Sequence, residues 1–405
     1  MSEVMSVPKL RFKAFDGDWS ETLFQDLFIF KNGVNASKEQ YGSGIKFINV
    51  LDIINNSNGI TYDSIIGSVN ITSKEIDKNL VKYGDVLFQR SSETREEVGQ
   101  SNVYLGKDPV VFGGFVIRGS AQKEYDPIFM NGLLKTDSLR DQITQLSGGS
   151  TRFNIGQDSL NKVSAYLPLK EEQTKIASFL SAVDEKISQL TQKHELLSQY
   201  KQGMMQKLFS HQVRFKADDG SDFGAWEDKK LGEISKTFSG GTPQSSNKSF
   251  YEGTIPFIKS GEISKNTTEQ CINDLALEKS SAKLVKKGDL LYALYGATSG
   301  QVAISQIDGA INQAVLCIRS EMNTKYLLNF LLLKKEEILT TYLQGGQGNL
   351  SASILKEIYI PTPCLQEQTK IANFLSAIDQ KIEVVAQQIE QAKQWKKGLL
   401  QQMFV

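Results

Sequence analysis

The stretch EQTKIASFLSAVDEKI at residues 172–187 returns as EQTKIANFLSAIDQKI at 367–382, with 13 of the 16 paired positions identical. The register runs on without a gap, so Lys201, Gly203, Gln206 and Phe209 answer Lys396, Gly398, Gln401 and Phe404. One helix is written twice in this chain. Comparison outward shows that the copied unit is larger, roughly 200 residues. RFKAFDGDW at 11–19 parallels RFKADDGSDFGAW at 214–226, IKFINVLDI at 45–53 parallels IPFIKSGEI at 255–263, and VKYGDVLF at 81–88 parallels VKKGDLLY at 285–292. Nearer the helices, Gly148-Gly149 answers Gly345-Gly346, and LNKVSAYLPL at 160–169 answers LKEIYIPTPC at 355–364. The chain reads globular half, helix, globular half, helix, and the globular parts have diverged far more than the helices.

Alternating steps of four and three along the first helix pick out Ile176, Leu180, Val183, Ile187 and Leu190, continuing through His194, Leu197, Lys201, Met204 and Leu208. The second copy gives Ile371, Leu375, Ile378, Ile382 and Val385, then Ile389, Ala392, Lys396, Leu399 and Met403. Each is a heptad seam of about five repeats. At about 1.5 Å per residue, the run from Glu171 to Phe209 makes a rod of about 58 Å. Such a stripe needs a cover. Two independent amphipathic helices, each packed on its own half, would supply one. Pairing of the two helices is the reading adopted, because the first leads through residues 210–212 straight into the next half, which sets the pair antiparallel with a half at each end. Lys201 and Lys396 fall on the seam, where they are expected to reach outward along their stems or to mark the end of the paired region. For Gly203 and Gly398, each costing about 1 kcal/mol relative to alanine, close packing against a neighbour is the expectation, with a hinge as the alternative.

Within the halves, IKFINV, DVLFQ, VVFGGFVI, DLLYAL and AVLCI read as short strands bounded by Gly, Asp and Asn, and helical stretches follow near 128–146 and 324–343. Strict βαβ alternation is absent, which disfavours a doubly wound nucleotide fold. The expected class is α+β: two α/β domains with many short strands, separated by two long antiparallel helices forming a coiled coil, with an internal pseudo-two-fold repeat. Expected boundaries are 1–168 for the first globular domain, 169–210 for the first helix, 211–363 for the second domain and 364–405 for the second helix.

Composition excludes several classes. The 405 residues are 40% hydrophobic and 23% charged, enough for two or three domains with buried cores and unlike a disordered chain. No apolar run approaches bilayer length and the N-terminal residues lack a leader pattern, so a cytoplasmic location is expected. Cys271, Cys317 and Cys364 have no paired spacing and are expected to be structural thiols. A formal net charge of zero argues against bulk electrostatic gripping of nucleic acid, yet leaves room for a base reader with local basic groups or a basic partner. Catalytic residues are not found. Of the two histidines, His194 lies on the helix seam and His211 in the junction, neither beside a nucleophile; GATSGQV at 296–302 has phosphate-loop glycines but Gln where lysine should stand. No metal site and no catalytic residue are expected.

Two variable halves alternating with two near-identical helices, each preceded by a short strand, a proline and an EQ-x-KI-A-x-FL start, resemble the specificity subunit of a type I restriction-modification system. The resemblance covers essentially the whole chain. It implies target-recognition domains that each read a few base pairs in the major groove, and helices that act as a ruler and dock two modification (methyltransferase) subunits. Restriction (motor-nuclease) subunits would complete a DNA-methylating and restricting complex. This chain would bind no cofactor itself, and the assembled complex would use S-adenosylmethionine, ATP and Mg. Dissimilar readers at the ends of a rigid spacer imply an asymmetric, two-part DNA target with a fixed gap, at most roughly 15 base pairs at about 3.4 Å each.

DNA-binding candidates follow from side-chain chemistry, since Arg suits guanine and Asn or Gln suits adenine. FQRSSETREEVGQSN offers Arg90, Ser91, Ser92, Arg95, Gln100 and Asn102, and GGSTRFN offers Arg152. The matching second-half region, YALYGATSGQ, offers Tyr292, Tyr295, Thr298, Ser299 and Gln301, and GGQGNLS offers Gln347 and Asn349. Lys259 and Ser260, beside a strand end, suit a phosphate. For each the alternative is a solvated loop side chain or a turn-forming hydrogen bond. Two other functions stay open on the residues alone: a coiled-coil protein-docking scaffold without sequence-specific DNA binding, and a self-contained enzyme.

Overall fold

The computed structural model describes residues 7–56, 58–343 and 350–405. Two helices dominate it, Lys170–Phe209 and Leu365–Met403. The chain divides into two compact units, the first comprising residues 1–191 with 387–405, the second residues 192–386. Each unit therefore contains a globular part, the start of one long helix and the end of the other. The helices run antiparallel in both. In the first unit Asp184 bonds Lys396 at 2.5 Å, and Leu180 and Leu400 meet beside Gly132. In the second, Lys201 bonds Asp379 at 2.6 Å, and Met205 and Leu208 share a core with Ile371, Leu375 and Ile378.

The apolar stripe decides this packing. Ile176, Leu180, Val183 and Leu190 are buried, as are Ile371, Leu375, Ile378 and Val385, while Ile187 and Ile382 are half-buried and pack on the two cores. Two expectations are corrected. The seam lysines neither reach into water nor end the paired region: each is bound to an aspartate of the other helix, with packed residues on both sides. Gly203 and Gly398 are not close-packed, because a Cβ on either would meet nothing within 4 Å.

The repeated sequences turn out to be locks at each helix start. Glu172 is buried and accepts two hydrogen bonds from Arg11, at 2.7 and 2.8 Å; Glu367, also buried, accepts two from Arg214 at 3.0 and 2.7 Å and one from the Trp226 indole at 2.8 Å. These charge-assisted forks raise both guanidinium pKa values through the carboxylate each faces. The following glutamines act in parallel. Gln173 accepts from the Asp126 N–H and donates to the Pro168 carbonyl; Gln368 accepts from the Asn323 N–H and donates to the Pro363 carbonyl.

The first unit's strands are β1 (Ser20–Leu23), β2 (Phe28–Asn32), β3 (Tyr41–Ile48), β4 (Ser68–Val69), β5 (Val86–Gln89), β6 (Ser91–Ser92), β7 (Ser101–Val103), β8 (Val111–Phe112), β9 (Val116–Ala121), β10 (Phe153–Asn154) and β11 (Ser164–Leu167). The second unit's are β12 (Glu227–Lys230), β13 (Ser235–Ser239), β14 (Ile255–Ile258), β15 (Cys271–Ile272), β16 (Lys283–Val285), β17 (Leu290–Ala293), β18 (Val302–Ile304), β19 (Gly309–Ile311), β20 (Val315–Ser320) and β21 (Tyr359–Thr362). The sheets correspond. An antiparallel sheet β2-β9-β5-β7 matches β13-β20-β17-β18, the pair β1-β11 matches β12-β21, and β4-β3-β8 matches β15-β14-β19-β16. In this last sheet one pair is parallel in each unit, β3 with β8 and β14 with β19.

Local chemistry explains the shared V-K-x-G-D sequence. Gly84 and Gly288 sit at φ +89° and +96°, a conformation that favours glycine, and Asp85 and Asp289 accept the N–H groups of Lys82 and Lys286 at 2.9 and 2.8 Å. The turn launches the central strand β5 or β17, which is buried along its length.

Candidate nucleic-acid interface

Parallel strands end at one edge, and that edge gathers side chains from separate parts of the chain. In the first unit β3 and β8 finish at Ile48 and Phe112. Beyond β3, the Asn49 N–H donates to Asp52 at 2.8 Å while the Asn49 side chain caps Leu51 at 2.8 Å. Asp52 is buried, and burial pushes its carboxyl pKa up against the opposing pull of the Asn49 N–H. Beyond β8 comes the turn Gly113-Gly114-Phe115. Gly113 N–H donates to Ile48, Gly114 N–H to Val34, and Val116 N–H back to Gly113, at 2.9–3.0 Å. Side chains are excluded here: a Cβ on Gly113 would lie 2.7 Å from the Phe47 ring, and one on Gly114 would lie 1.8 Å from the Asn35 amide oxygen.

The second unit repeats this edge with different residues. The Lys259 N–H donates to buried Glu262 at 3.1 Å, and the turn Asn312-Gln313-Ala314 replaces the glycines. Equivalence follows from the backbone: Arg90 N–H donates to Phe115 at 2.9 Å as Leu294 N–H donates to Ala314 at 2.8 Å. Thr242 donates its hydroxyl to the Gln313 side-chain oxygen. A cavity of about 370 Å³ opens beside this turn, lined by Thr242, Ser245, Lys248, Lys259 and Asn312 among others. It offers two ammonium groups and several amide and hydroxyl partners, a surface suited to phosphates and base edges.

Among the candidates read from sequence, Arg90, Arg95 and Arg152 are exposed. The structure brings Arg95 and the Arg152 region together, because β6 pairs with β10 (Phe153↔Ser92, Asn154↔Ser91) and the Arg95 guanidinium lies 5.9 Å from the Phe153 ring centroid. Arg90 donates to the Gly114 carbonyl at 3.3 Å. Ser91 and Gln100 are half-buried beside this loop. In the second unit Gln301 is exposed, and Lys259, Ser260, Tyr295, Thr298 and Ser299 are half-buried. Ser299 donates to the Leu294 carbonyl at 3.0 Å, and Thr298 lies beside Gly261. Gln347 and Asn349 lie outside the described residues.

Three assignments are corrected. Asn102 is fully buried on β7, with its amide donating to the carbonyls of Ile53 and Asn56, where it ties down the end of the helix Val50–Asn55. Ser92 is buried and donates to Glu97 at 2.8 Å. Tyr292 is fully buried in β17, and burial pushes its phenol up to about 12. None of the three presents its side chain to a ligand. Asn35, Asn49, Phe115, Thr242, Lys248, Asn312 and Gln313 also lie at these edges and are not among the candidates that side-chain chemistry picks from the sequence. FGGFVI and INQAVL share no motif that aligns these turns.

Among the described residues, no group of three or more His, Cys, Asp or Glu could hold a metal ion, and no helix is long and apolar enough to cross a membrane. The three cysteines are free thiols; burial pushes that of Cys317 up to about 12.

Against known proteins, a family model described as the type I restriction modification DNA specificity domain matches residues 17–199 and again 224–394. A Methanocaldococcus jannaschii protein described as the putative type I restriction enzyme MjaX specificity subunit is 27% identical over 401 residues, covering 95% of this chain and 92% of that relative. The fold is similar to that of the type I restriction-modification S subunit from M. genitalium (TM-score 0.57, 19% identity, 98% of this chain and 99% of the other). It is also similar to a chain from a structure of a type I restriction-modification system (TM-score 0.64, 18% identity, 94% and 96%).

Proposed function

This chain belongs to the type I restriction-modification DNA specificity family, and from that premise we propose that its two recognition domains read the two unlike parts of an asymmetric DNA target. Residues 1–168 and 211–363 are the readers; 169–210 and 364–405 are spacer helices on which two methyltransferase subunits dock. Motor-nuclease subunits complete the complex in the cytoplasm. The chain itself is non-catalytic and binds no cofactor, and S-adenosylmethionine, ATP and Mg are used by its partners.

One observation carries the reading. The helix seams keep their apolar pattern and both units keep an Arg–Glu lock, whereas the strand-end edges differ in chemistry: Arg90, Gly114 and Phe115 in one, Leu294, Gln313 and Ala314 in the other. A surface that must bind one kind of partner twice stays alike, and surfaces that read different bases diverge. Arg90, Arg95 and Arg152 are assigned to base edges and phosphates of the first part. For the second part, Lys259, Ser260, Tyr295, Thr298, Ser299 and Gln301 are assigned together with Thr242, Lys248 and Gln313.

A mobility-shift titration with and without the methyltransferase subunit tests this. Sequence-specific binding is expected to be weak for the chain alone and strong for the complex. Absence of sequence preference at any salt concentration in the complex would refute it and favour a protein-docking scaffold.

A further inference from the structure

Phe115 is 67% exposed, yet it stands on a turn fixed by several backbone hydrogen bonds. Its carbonyl accepts the Arg90 N–H, and the residues before and after it are tied to β3, to Val34 and to each other by the hydrogen bonds given above. The Arg90 guanidinium donates to Gly114, and Asn35 fills the space on the other side of that glycine. A large exposed apolar residue thus stands on a hydrogen-bonded turn whose neighbouring groups, the Arg90 guanidinium and the Asn35 amide beside Gly114, are polar. At the equivalent place in the second unit stands Ala314, which is 5% exposed. A folding role does not account for the ring, since the residue is mostly exposed and the repeat-equivalent turn is built with alanine in its place.

The apolar feature of a major-groove base edge is the thymine C5-methyl group, and phenylalanine is among the side chains that contact it. Resting on the reading of this unit as a DNA reader, we propose that Phe115 recognises the methyl group of a thymine in the first part of the target. The contact contributes discrimination only in the half read by the first unit.

The test uses the full complex of this chain with its methyltransferase subunit, on duplexes carrying the target identified by mapping methylated adenines. Each thymine of both strands is replaced in turn by deoxyuridine, which removes only the methyl group. Wild type is expected to lose about fourfold in affinity at one position in the first half-site, the worth of one buried methyl. Phe115→Ala should bind thymine and deoxyuridine there equally, and Phe115→Leu should restore part of the difference. Three results would overturn the proposal: no position at which wild type and Phe115→Ala differ in deoxyuridine sensitivity; an equal loss by Phe115→Ala on every duplex, which would mark a wedge between bases; or weakened methyltransferase docking without DNA, which would mark a protein contact. If wild type shows no sequence preference at all, the DNA-reading function fails first, and that outcome is distinct from these three.

Discussion

Replacing Glu172 by alanine separates the two roles that the repeated EQ sequence could have, a structural lock or a partner-facing motif. Glu172 is 2% exposed and holds both the Nε and Nη2 groups of Arg11, whose side chain is 14% exposed. Removing the carboxylate leaves a largely buried guanidinium with only the Asp16 and Gly17 carbonyls, a loss of about 3–5 kcal/mol. The second lock is more forgiving. Arg214 is 32% exposed, so water can recover part of its solvation, and Glu367→Ala should cost about 2–3 kcal/mol, including about 1 kcal/mol for the orphaned Trp226 N–H. Because the chain has two units, a single unfolding free energy is not defined. Hydrogen exchange in a urea series, read on peptides from each unit, resolves the two. Glu172→Ala should lower protection in the first unit and Glu367→Ala in the second, each leaving the other unit nearly unchanged. Arg11→Met combined with Glu172→Leu should recover much of the loss. A change below about 0.5 kcal/mol in Glu172→Ala, or a double variant as unstable as the single one, would refute the lock.

Asn102→Ala should destabilise the first unit by about 2–3 kcal/mol, since one buried and one partly buried carbonyl lose their donor; unchanged exchange protection of the helix Val50–Asn55 would count against this role. At the helix seam, Lys201→Asp opposite Asp379 should cost about 1 kcal/mol, and adding Asp379→Lys should restore it, as read from urea midpoints. Burial, with a smaller contribution from Lys396, lowers the Lys135 pKa to about 8. Between about pH 8 and 10.5 the unfolded chain then binds more protons than the folded one, so stability should rise with pH across that window. Stability is lost again as pH falls through 8, and Lys135→Met should flatten this segment of the pH profile.

The helices were legible because a seven-residue period is a local signal and the repeat shows it twice. Which faces met was equally readable. Arg11 and Glu172 were noticed as separate repeated motifs, but their pairing spans 161 residues and no local pattern announces it. Side-chain direction was the harder matter. Asn102 looks like a loop amide and lies on β7 facing inward, and Tyr292 alternates with Leu291 along a strand buried on both faces. The strand-end edges depend on parallel pairing of β3 with β8 and of β14 with β19, non-local contacts whose participants carry no shared motif. Gly203 and Gly398 were misread because repetition suggested a packing constraint where the helix surface is open.

The central claim is that the two units read separate parts of one target. Exchanging residues 20–168 for the corresponding segment of another specificity chain, and then mapping methylated adenines across the genome, tests it most directly. One part of the recognised sequence should change while the other part and the gap between them stay the same. Alteration of both parts, or of neither, would contradict the account.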